Sequence, residues 1–256
     1  MQVPSALLLA AWSLAATVAG AGAAAPQASP ARAPQAQPPA QASQPPAQAP
    51  APPPRYRLAG RIELTQGGRP ATDRALDPSR AAVWFVPDAG GERPRPLQAA
   101  MTTVRKQFEP AVLVVPVGST VRFPNQDPIL HNVFSVSGRN SFDLGLVGAG
   151  QGKTATFREA GLVRVFCNVH HGMFAHVMVV ESAHYAAPDG AGRFVLTGLP
   201  GGRGRLRFWH ERGEVGETPV EVPRAGELVV RAEITRPKVP PHRNKFGKSY
   251  TRGTYE

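Results

Sequence analysis

The stretch PAVLVVPVGSTVRFPNQD, residues 110–127, decides the fold class of this chain. It holds two short apolar runs, AVLVVPV and STVRFPN, which meet at a glycine and are bounded by proline, asparagine and aspartate. Runs of this length, rich in valine and flanked by turn-forming residues, are typical of β-strands. The stretch is therefore predicted to form two strands joined by a short turn.

The same pattern recurs through residues 55–235. Short apolar or alternating runs bounded by Gly, Pro, Asn or Asp return about every ten residues. They are RLAGRIEL, AAVWFVP, HNVFSV, TATFREA, LVRVFCN, AHVMVVE, GRFVLTG, GRLRFWH, TPVEVP and ELVVRAEI. No window of adequate length carries the apolar stripe of a helix, so we predict an all-β sandwich or barrel with little helix.

The N-terminal segments indicate that the chain is exported. Residues 1–25 hold an apolar run that closes on small residues, which is typical of a secretory signal peptide. They contain no Lys or Arg, so the alternative is an uncleaved signal that tethers the protein to a membrane. Residues 26–54 are rich in Pro, Ala and Gln, a composition that favours an extended, disordered linker. We expect a secreted, periplasmic protein.

The positive charge of the chain is spread along it. The formal net charge is +11, and residues 236–256 hold six Lys or Arg and one Glu. Nucleic-acid binding needs a clustered basic face with a reading element, and a secreted chain rarely meets DNA, so no nucleic-acid partner is expected. The segment 236–256 is predicted to be a basic disordered tail, which is either solvated or available to acidic partners and anionic surfaces.

The single cysteine of the chain, Cys167, lies in the stretch VFCNVHHGMFAHVMVV, residues 165–180. In an oxidising compartment a structural cysteine is normally disulfide-bonded, but this chain offers no second cysteine. The remaining roles are an intermolecular disulfide, a buried inert thiol or a metal ligand. The histidines and methionines that follow within a few residues favour the metal ligand.

Three motifs between residues 96 and 183 carry a resemblance to a known family. The first is the opening stretch, which looks like two paired strands of that family. The others are LHNVFS at residues 130–135 and Cys-x-x-His-x-x-Met at residues 167–173. In this order and spacing the segment resembles the cupredoxins, the small blue copper electron carriers, and most closely plastocyanin and amicyanin. The resemblance implies a cupredoxin Greek-key β-sandwich for residues 96–183.

The resemblance also implies a ligand set for one type 1 copper ion. Cys167 would supply the thiolate, His131 and His170 the imidazoles, and Met173 the weak axial thioether. Asn132 would tether the two ligand loops and tune the sulfur by hydrogen bonding.

Two further histidines of the loop depart from the family pattern. His171 stands where relatives commonly have proline; it is either a rim residue near the metal or a solvated loop residue. His176 falls on a predicted strand, where it is either an auxiliary metal contact or a packed or surface residue of the strand. Near His131, Asp127 and Asp143 are interpreted as turn and strand-edge residues. No catalytic residue is predicted.

The segments on either side of the copper motifs resemble a different family. GRFVLTGLPGGRGRLRFWHE and TPVEVPRAGELVVRAEI, together with GRIEL and AVWF upstream, are similar to carboxypeptidase regulatory-like domains, which are small transthyretin-like β-sandwiches. We predict that residues 55–95 and 184–235 form one discontinuous sandwich, with the cupredoxin domain of residues 96–183 inserted in it.

These observations predict a protein that is not an enzyme. It would be a periplasmic type 1 copper protein that carries single electrons between redox partner proteins. A copper delivery or sensing module and a structural surface-binding protein are the alternatives. The sequence makes no prediction of oligomeric state.

Overall fold

The protein is described by a computed structural model that covers residues 53–170, 172–236 and 243–249. Within these ranges the regular structure consists of β-strands and two short 3₁₀ turns, Pro78–Arg80 and Gly138–Asn140, with no α-helix. The predicted all-β fold class is confirmed. The predicted signal peptide, residues 26–52 of the predicted linker, and His171 lie outside the described residues.

Eighteen strands follow one another along the described chain. They are β1 (Tyr56–Gln66), β2 (Arg69–Pro70), β3 (Ala81–Pro87), β4 (Gln98–Ala100), β5 (Thr102–Val104), β6 (Gln107–Glu109), β7 (Val112–Pro116), β8 (Thr120–Pro124), β9 (His131–Ser135), β10 (Phe142–Val147), β11 (Gly152–Thr156), β12 (Gly161–Phe166), β13 (Phe174–Val180), β14 (His184–Ala186), β15 (Arg193–Leu199), β16 (Gly202–His210), β17 (Gly216–Val222) and β18 (Leu228–Glu233).

Strands β4 and β7 to β13 form the first sandwich. One sheet has the order β10-β9-β12-β13-β7 and the other the order β11-β8-β4, with the β5-β6 hairpin beside them. Alternate apolar side chains of both sheets point inward and share one buried core. Its members include Val115, Val121, Phe123, Val133, Val163, Val165, Cys167, Met173 and Val177.

The opening stretch folds differently from its prediction in one respect. It forms two strands, but β7 pairs with β13 whereas β8 pairs with β11 and β4, so the two are not paired with each other. Gly118, with a φ of 88°, lies in the turn that carries the chain from one sheet to the other. Val115 and Val121 then face the same core from opposite sheets. This arrangement buries the apolar side chains of both runs in one core. A hairpin of the two runs would place them in the same sheet and would not let them pack against each other across the core.

The remaining strands form the second sandwich. Its sheets have the orders β15-β1-β18, with β2 alongside β1, and β14-β3-β16-β17. The hydrogen-bonded partners of β1 are therefore β2, β15 and β18, none of which lies between residues 96 and 183. The kinship of this sandwich to carboxypeptidase regulatory-like domains stays a prediction.

A separate apolar cluster joins the two sandwiches. It is formed by side chains of β3 and β16 from the second sandwich and of β7 and β13 from the first. Since side chains alternate along a strand, β3 and β13 bury one face in their own sandwich and the other in this contact. The strands AAVWFVP and FAHVMVV are accordingly apolar almost throughout. The cluster comprises Ala82, Trp84, Val112, Val114, Met178, Val180 and Trp209.

Candidate metal centre

The predicted ligands come together at one end of the first sandwich. Cys167 directly follows β12, His131 begins β9, and these two strands are neighbours in the same sheet. The chain then turns back toward β13. The backbone N–H of Cys167 donates to the carbonyl of Met173 at 3.0 Å, and that of Met173 donates to the carbonyl of His170 at 3.1 Å. These bonds shape the Cys-x-x-His-x-x-Met segment into a compact loop beside His131.

Three donor atoms converge in this loop. The Sγ atom of Cys167 lies 3.7 Å from Nδ1 of His131 and 3.7 Å from Nδ1 of His170. The two Nδ1 atoms are 3.1 Å apart. Ligand atoms of all three residues lie within 4.8 Å of one another, as donors to a single metal ion would. In both imidazoles, Nδ1 is the nitrogen that faces the sulfur.

Burial separates the predicted ligands into two kinds. Cys167 and His131 are fully buried, and Met173 is buried in the same apolar core as Cys167. His170 is half-buried, so it alone of the four is partly accessible from solvent. Apolar neighbours surround the sulfur, and they exclude water from a site built of soft ligands.

Asp127 is the polar residue at this end that the sequence interpretation missed. Its Oδ2 lies 2.8 Å from Nε2 of the His131 ring. The same carboxylate accepts backbone N–H groups from Arg105 at 2.6 Å and from Lys106 at 2.9 Å. Asp127 was interpreted as a turn residue, whereas it joins the β5-β6 turn to a predicted copper ligand. An acidic residue four positions before that histidine was the available sequence signal.

The charge states of this pair follow from burial and hydrogen bonding. Burial raises the pKa of Asp127, but the hydrogen bonds from the backbone of Lys106 and Arg105 outweigh it and hold the pKa below its usual value. Burial lowers the pKa of His131 more than the nearby Asp127 raises it. His131 is therefore neutral near pH 7, the form that binds metals.

Asn132 makes different contacts from those expected. Its Nδ2 donates to Oδ1 of Asp143 at 2.8 Å and to the carbonyl of Gly145 at 2.9 Å, both in β10. Its Oδ1 is buried and has no hydrogen-bond partner among the described residues. The amide thus holds β9 to β10, and no direct hydrogen bond from it to the 167–173 loop is seen in the described part of the chain.

The link between the two ligand segments runs instead through the C-terminal tail. Nζ of Lys245 donates to Oδ2 of Asp143 at 2.7 Å, and the backbone N–H of Lys245 donates to Oδ1 of Asn168 at 3.0 Å. Residues 243–249 form a turn at this position. Asn132, Asp143, Lys245 and Asn168 therefore form a chain of contacts that ends beside Cys167. The rest of the predicted disordered tail, 237–242 and 250–256, lies outside the described residues.

His176 faces away from the converged donors. Its neighbours on β13, Ala175 and Val177, belong to the core that holds Cys167, so the alternation of the strand turns His176 to the opposite face. There it is buried and its ring packs edge-on to Trp209, with centroids 5.3 Å apart. His176 is therefore not among the side chains that converge on Cys167. The predicted rim role of His171 concerns a residue outside the described ones.

The histidines of the second sandwich serve its own structure. Nδ1 of His184 lies 3.2 Å from the carbonyl of Thr197, and Nε2 of His210 lies 3.2 Å from the carbonyl of Asp77. Neither belongs to a cluster of metal-binding side chains within the described ranges.

Among the residues that the structure describes, the chain forms no helix with the length and apolar character needed to cross a membrane.

Comparison with known proteins agrees with this geometry. Residues 98–180 match the family model for copper binding proteins of the plastocyanin/azurin family. The predicted resemblance of this segment to the cupredoxins is confirmed. None of the curated proteins matches the chain significantly.

Solved structures similar to the chain include a cupredoxin and two amicyanin mutants. A novel purple cupredoxin from Nitrosopumilus maritimus is 23% identical, with a TM-score of 0.29, over 32% of this chain and 99% of its own. A reduced amicyanin mutant is 28% identical, with a TM-score of 0.31, over 32% of this chain and 82% of its own. Another reduced amicyanin mutant is 24% identical, with a TM-score of 0.30, over 40% of this chain and 99% of its own.

Proposed function

We propose that this protein is a periplasmic type 1 copper protein that carries single electrons between redox partner proteins. The observation that carries the proposal is the convergence of Cys167 Sγ with Nδ1 of His131 and of His170, in a segment that matches a copper-binding family. The export suggested by residues 1–25, with or without retention of that segment as a membrane tether, supports the location.

The residues present fit copper. One thiolate, two imidazoles and a thioether form the donor set of blue copper sites. Cys167, His131 and His170 would hold the ion, with Met173 as the weak fourth ligand. Bound copper would supply the one-electron redox chemistry. We propose a single site because the converged cluster is the only group of this kind in the described part of the chain.

The β-strands and the apolar core hold the predicted ligands in place. His131 is the first residue of β9, and Cys167 directly follows β12, the neighbouring strand of the same sheet. Their separation is therefore set by the hydrogen-bonded strands and not by a flexible loop. Apolar packing of Cys167 and Met173 keeps water away from the sulfur atoms. A site whose ligands are already in place changes little between oxidation states, and this favours rapid electron exchange.

A surface for redox partners lies at the same end of the sandwich. His170 is the predicted ligand that is partly accessible, and its ring edge would be the point closest to a partner. Exposed apolar side chains flank β9: Ile129 and Leu130 directly precede His131, and Leu146 pairs with Asn132 across the sheet. Apolar groups of this kind suit brief contact with another protein.

Copper loading tests the proposal directly. The purified chain is titrated with Cu(II), the visible thiolate-to-copper charge-transfer band is followed, and its reversible reduction is measured. We expect one equivalent of copper, a stable blue colour and reversible reduction. Cys167→Ser should abolish the colour, and His171→Ala should leave it.

Three outcomes would contradict the proposal in different ways. Colourless and readily exchanged copper would indicate metal delivery or sensing. Preferential binding of Zn(II) would remove the assignment of the site to copper. Absence of metal binding by a correctly folded chain would favour a structural surface protein.

A further inference from the structure

The carboxylate of Asp127 lies behind the ring of His131, on the side away from Cys167. We propose that Asp127 is a positioning residue of the copper site, which fixes the orientation and tautomer of His131 and lowers the reduction potential of the bound copper. The inference about the potential rests on the proposed function, whereas the inference about the tautomer concerns the chain alone.

The carboxylate is held in place by directed contacts. Oδ1 of Asp127 accepts the backbone N–H of Arg105 at 2.6 Å, and Oδ2 accepts that of Lys106 at 2.9 Å. Oδ2 also lies 2.8 Å from Nε2 of His131. In addition, the backbone N–H of Asp127 donates to Oδ1 of Asn125 at 2.9 Å. With both oxygens engaged on one side, the carboxylate has a single orientation toward the histidine.

The turn that supplies the two backbone donors has an unusual conformation. Arg105 and Lys106 have φ values of 52° and 57°, in the left-handed region that residues other than glycine seldom adopt. In this conformation their successive N–H groups point to one spot, which the Asp127 carboxylate occupies. The β5-β6 hairpin and His131 are thus connected through one side chain.

The pairing determines which nitrogen of His131 is available for a metal. An ionised carboxylate can only accept hydrogen bonds, so Nε2 must carry the proton and donate it to Oδ2. The lone pair is then on Nδ1, the atom that lies 3.7 Å from the Cys167 sulfur. Without Asp127, the neutral ring would be free to adopt the other tautomer, which presents an N–H to the site.

The same contact affects the strength of the ligand. A carboxylate that accepts the second N–H of a metal-binding imidazole makes the ring a better electron donor. A buried negative charge also favours the more positive, oxidised form of a nearby metal ion, since burial limits its screening by solvent. Both effects stabilise Cu(II) over Cu(I), and both therefore lower the potential.

The experiment compares Asp127→Asn with Glu159→Gln in the full-length, copper-loaded protein. Both substitutions remove one carboxylate charge from the first sandwich, but Glu159 pairs with Arg139 and belongs to none of the contacts described around the predicted ligands. We expect Asp127→Asn to weaken Cu(II) binding by about 10–100-fold, the range typical of such partners. Each tenfold fall in the ratio of Cu(II) affinity to Cu(I) affinity raises the potential by about 59 mV for one electron. Glu159→Gln should shift the potential much less.

A second measurement needs no copper. Long-range ¹H–¹⁵N correlation spectra of the metal-free protein report which nitrogen of each imidazole is protonated. For the wild-type chain we expect His131 to carry its proton on Nε2. In Asp127→Ala, which removes the acceptor, we expect the signal to show a mixture of tautomers.

Loss of the turn contacts could affect folding, so both Asp127 variants are repeated in an Arg105→Gly, Lys106→Gly background. Glycine adopts positive φ readily and stabilises this turn without the carboxylate.

A proton on Nδ1 of His131 in the wild-type protein would overturn the inference. Equal potential shifts in Asp127→Asn and Glu159→Gln would overturn it as well. If the wild-type chain binds no copper, the proposed function and the effect on the potential both fail, and the spectra still decide the tautomer.

Discussion

His131 and His176 are both buried in the first sandwich, and each lies near a carboxylate, but the two pairs are built differently. His131 is 2.8 Å from Asp127, whose oxygens are also engaged by backbone N–H groups. His176 Nδ1 is 3.7 Å from Oε2 of Glu211, too far for a hydrogen bond. That nitrogen has no hydrogen-bond partner among the described residues.

The surroundings explain the difference. Glu211 is engaged by Arg80, which donates to its two oxygens at 3.0 and 3.3 Å. His176 instead packs between the aromatic rings of Phe174 and Trp209 at the contact of the two sandwiches. Burial, with the positive charges of Arg164 and Arg80 in lesser roles, lowers the pKa of His176 to about 3.

Burial alone therefore does not make a histidine a metal ligand. At His131 a carboxylate accepts a hydrogen bond from one ring nitrogen, and the other nitrogen faces the thiol of Cys167. At His176 the nitrogen nearest the carboxylate makes no hydrogen bond to any described residue, and the neutral ring packs at the contact of the two sandwiches. The first arrangement suits metal binding, whereas the second links the stability of the sandwich contact to pH.

The largest effect is expected from replacing each histidine in turn. His131→Ala should abolish the blue colour and the reversible reduction of the copper-loaded protein, because it removes a ligand. His176→Phe, which keeps a ring in the sandwich contact, should retain both. Visible absorption and voltammetry check the result, with far-ultraviolet circular dichroism as the control for folding. Loss of colour in a folded His176→Phe protein would remove the distinction between the two sites.

The next effect concerns the partner of the His176 ring. Trp209→Ala should lower the free energy of unfolding by about 3–5 kcal/mol, because it opens a cavity in the apolar contact between the sandwiches. Urea denaturation measures the loss. Val215→Ala, at a side chain exposed in the same sandwich, should change stability by less than about 0.5 kcal/mol. Retention of the blue colour in Trp209→Ala is also expected, and its loss would show that the contact supports the metal site.

The smallest effect concerns the pH dependence of stability. The pKa of His176 is lowered on folding to about 3, so the unfolded chain binds the extra proton as the pH falls below about 6.5. The contribution of His176 is therefore favourable above pH 6.5 and is lost progressively toward pH 3. Between pH 6.5 and 5 the loss is about 1.5 kcal/mol.

His176→Phe should remove this part of the acid sensitivity. Urea denaturation of the metal-free wild-type and variant proteins at several pH values isolates it, because His131 and His210, whose pKa values are also lowered by burial, are present in both. Parallel stability curves for the two proteins would show that His176 does not titrate as its burial indicates.

Much of the fold was predictable because its signals are local. Valine-rich runs with turn residues at their ends predicted the strands, and the all-β class is confirmed. The pairing of the two runs in residues 110–127 was not predicted correctly. Strands that are adjacent in the chain can pair or can face each other across a core, and the local pattern is the same in both cases. The choice depends on partners such as β13, about 60 residues away in the chain.

The candidate site was predictable in its donors and less so in what holds them. Spacing and residue type singled out Cys167, His170 and Met173, and the structure brings the first two together with His131. The contact of Lys245 with Asn168 was not foreseen, since it joins residues far apart in a tail that composition alone describes as disordered. The interpretation of Asp127 as a turn residue overlooked that a turn can also direct a carboxylate.

The sequence by itself determined the chemistry available to this protein: a single thiol, imidazoles and a thioether at short spacings, on strands whose alternation follows from the two-residue period of the chain. Only the tertiary structure decided that the His131 ring is hydrogen-bonded to the carboxylate of Asp127 and that the His176 ring packs against Trp209. Strand alternation assigns a side chain to a face, but what covers that face is set by residues distant in sequence. For these two histidines, that difference separates a candidate ligand from a packing residue.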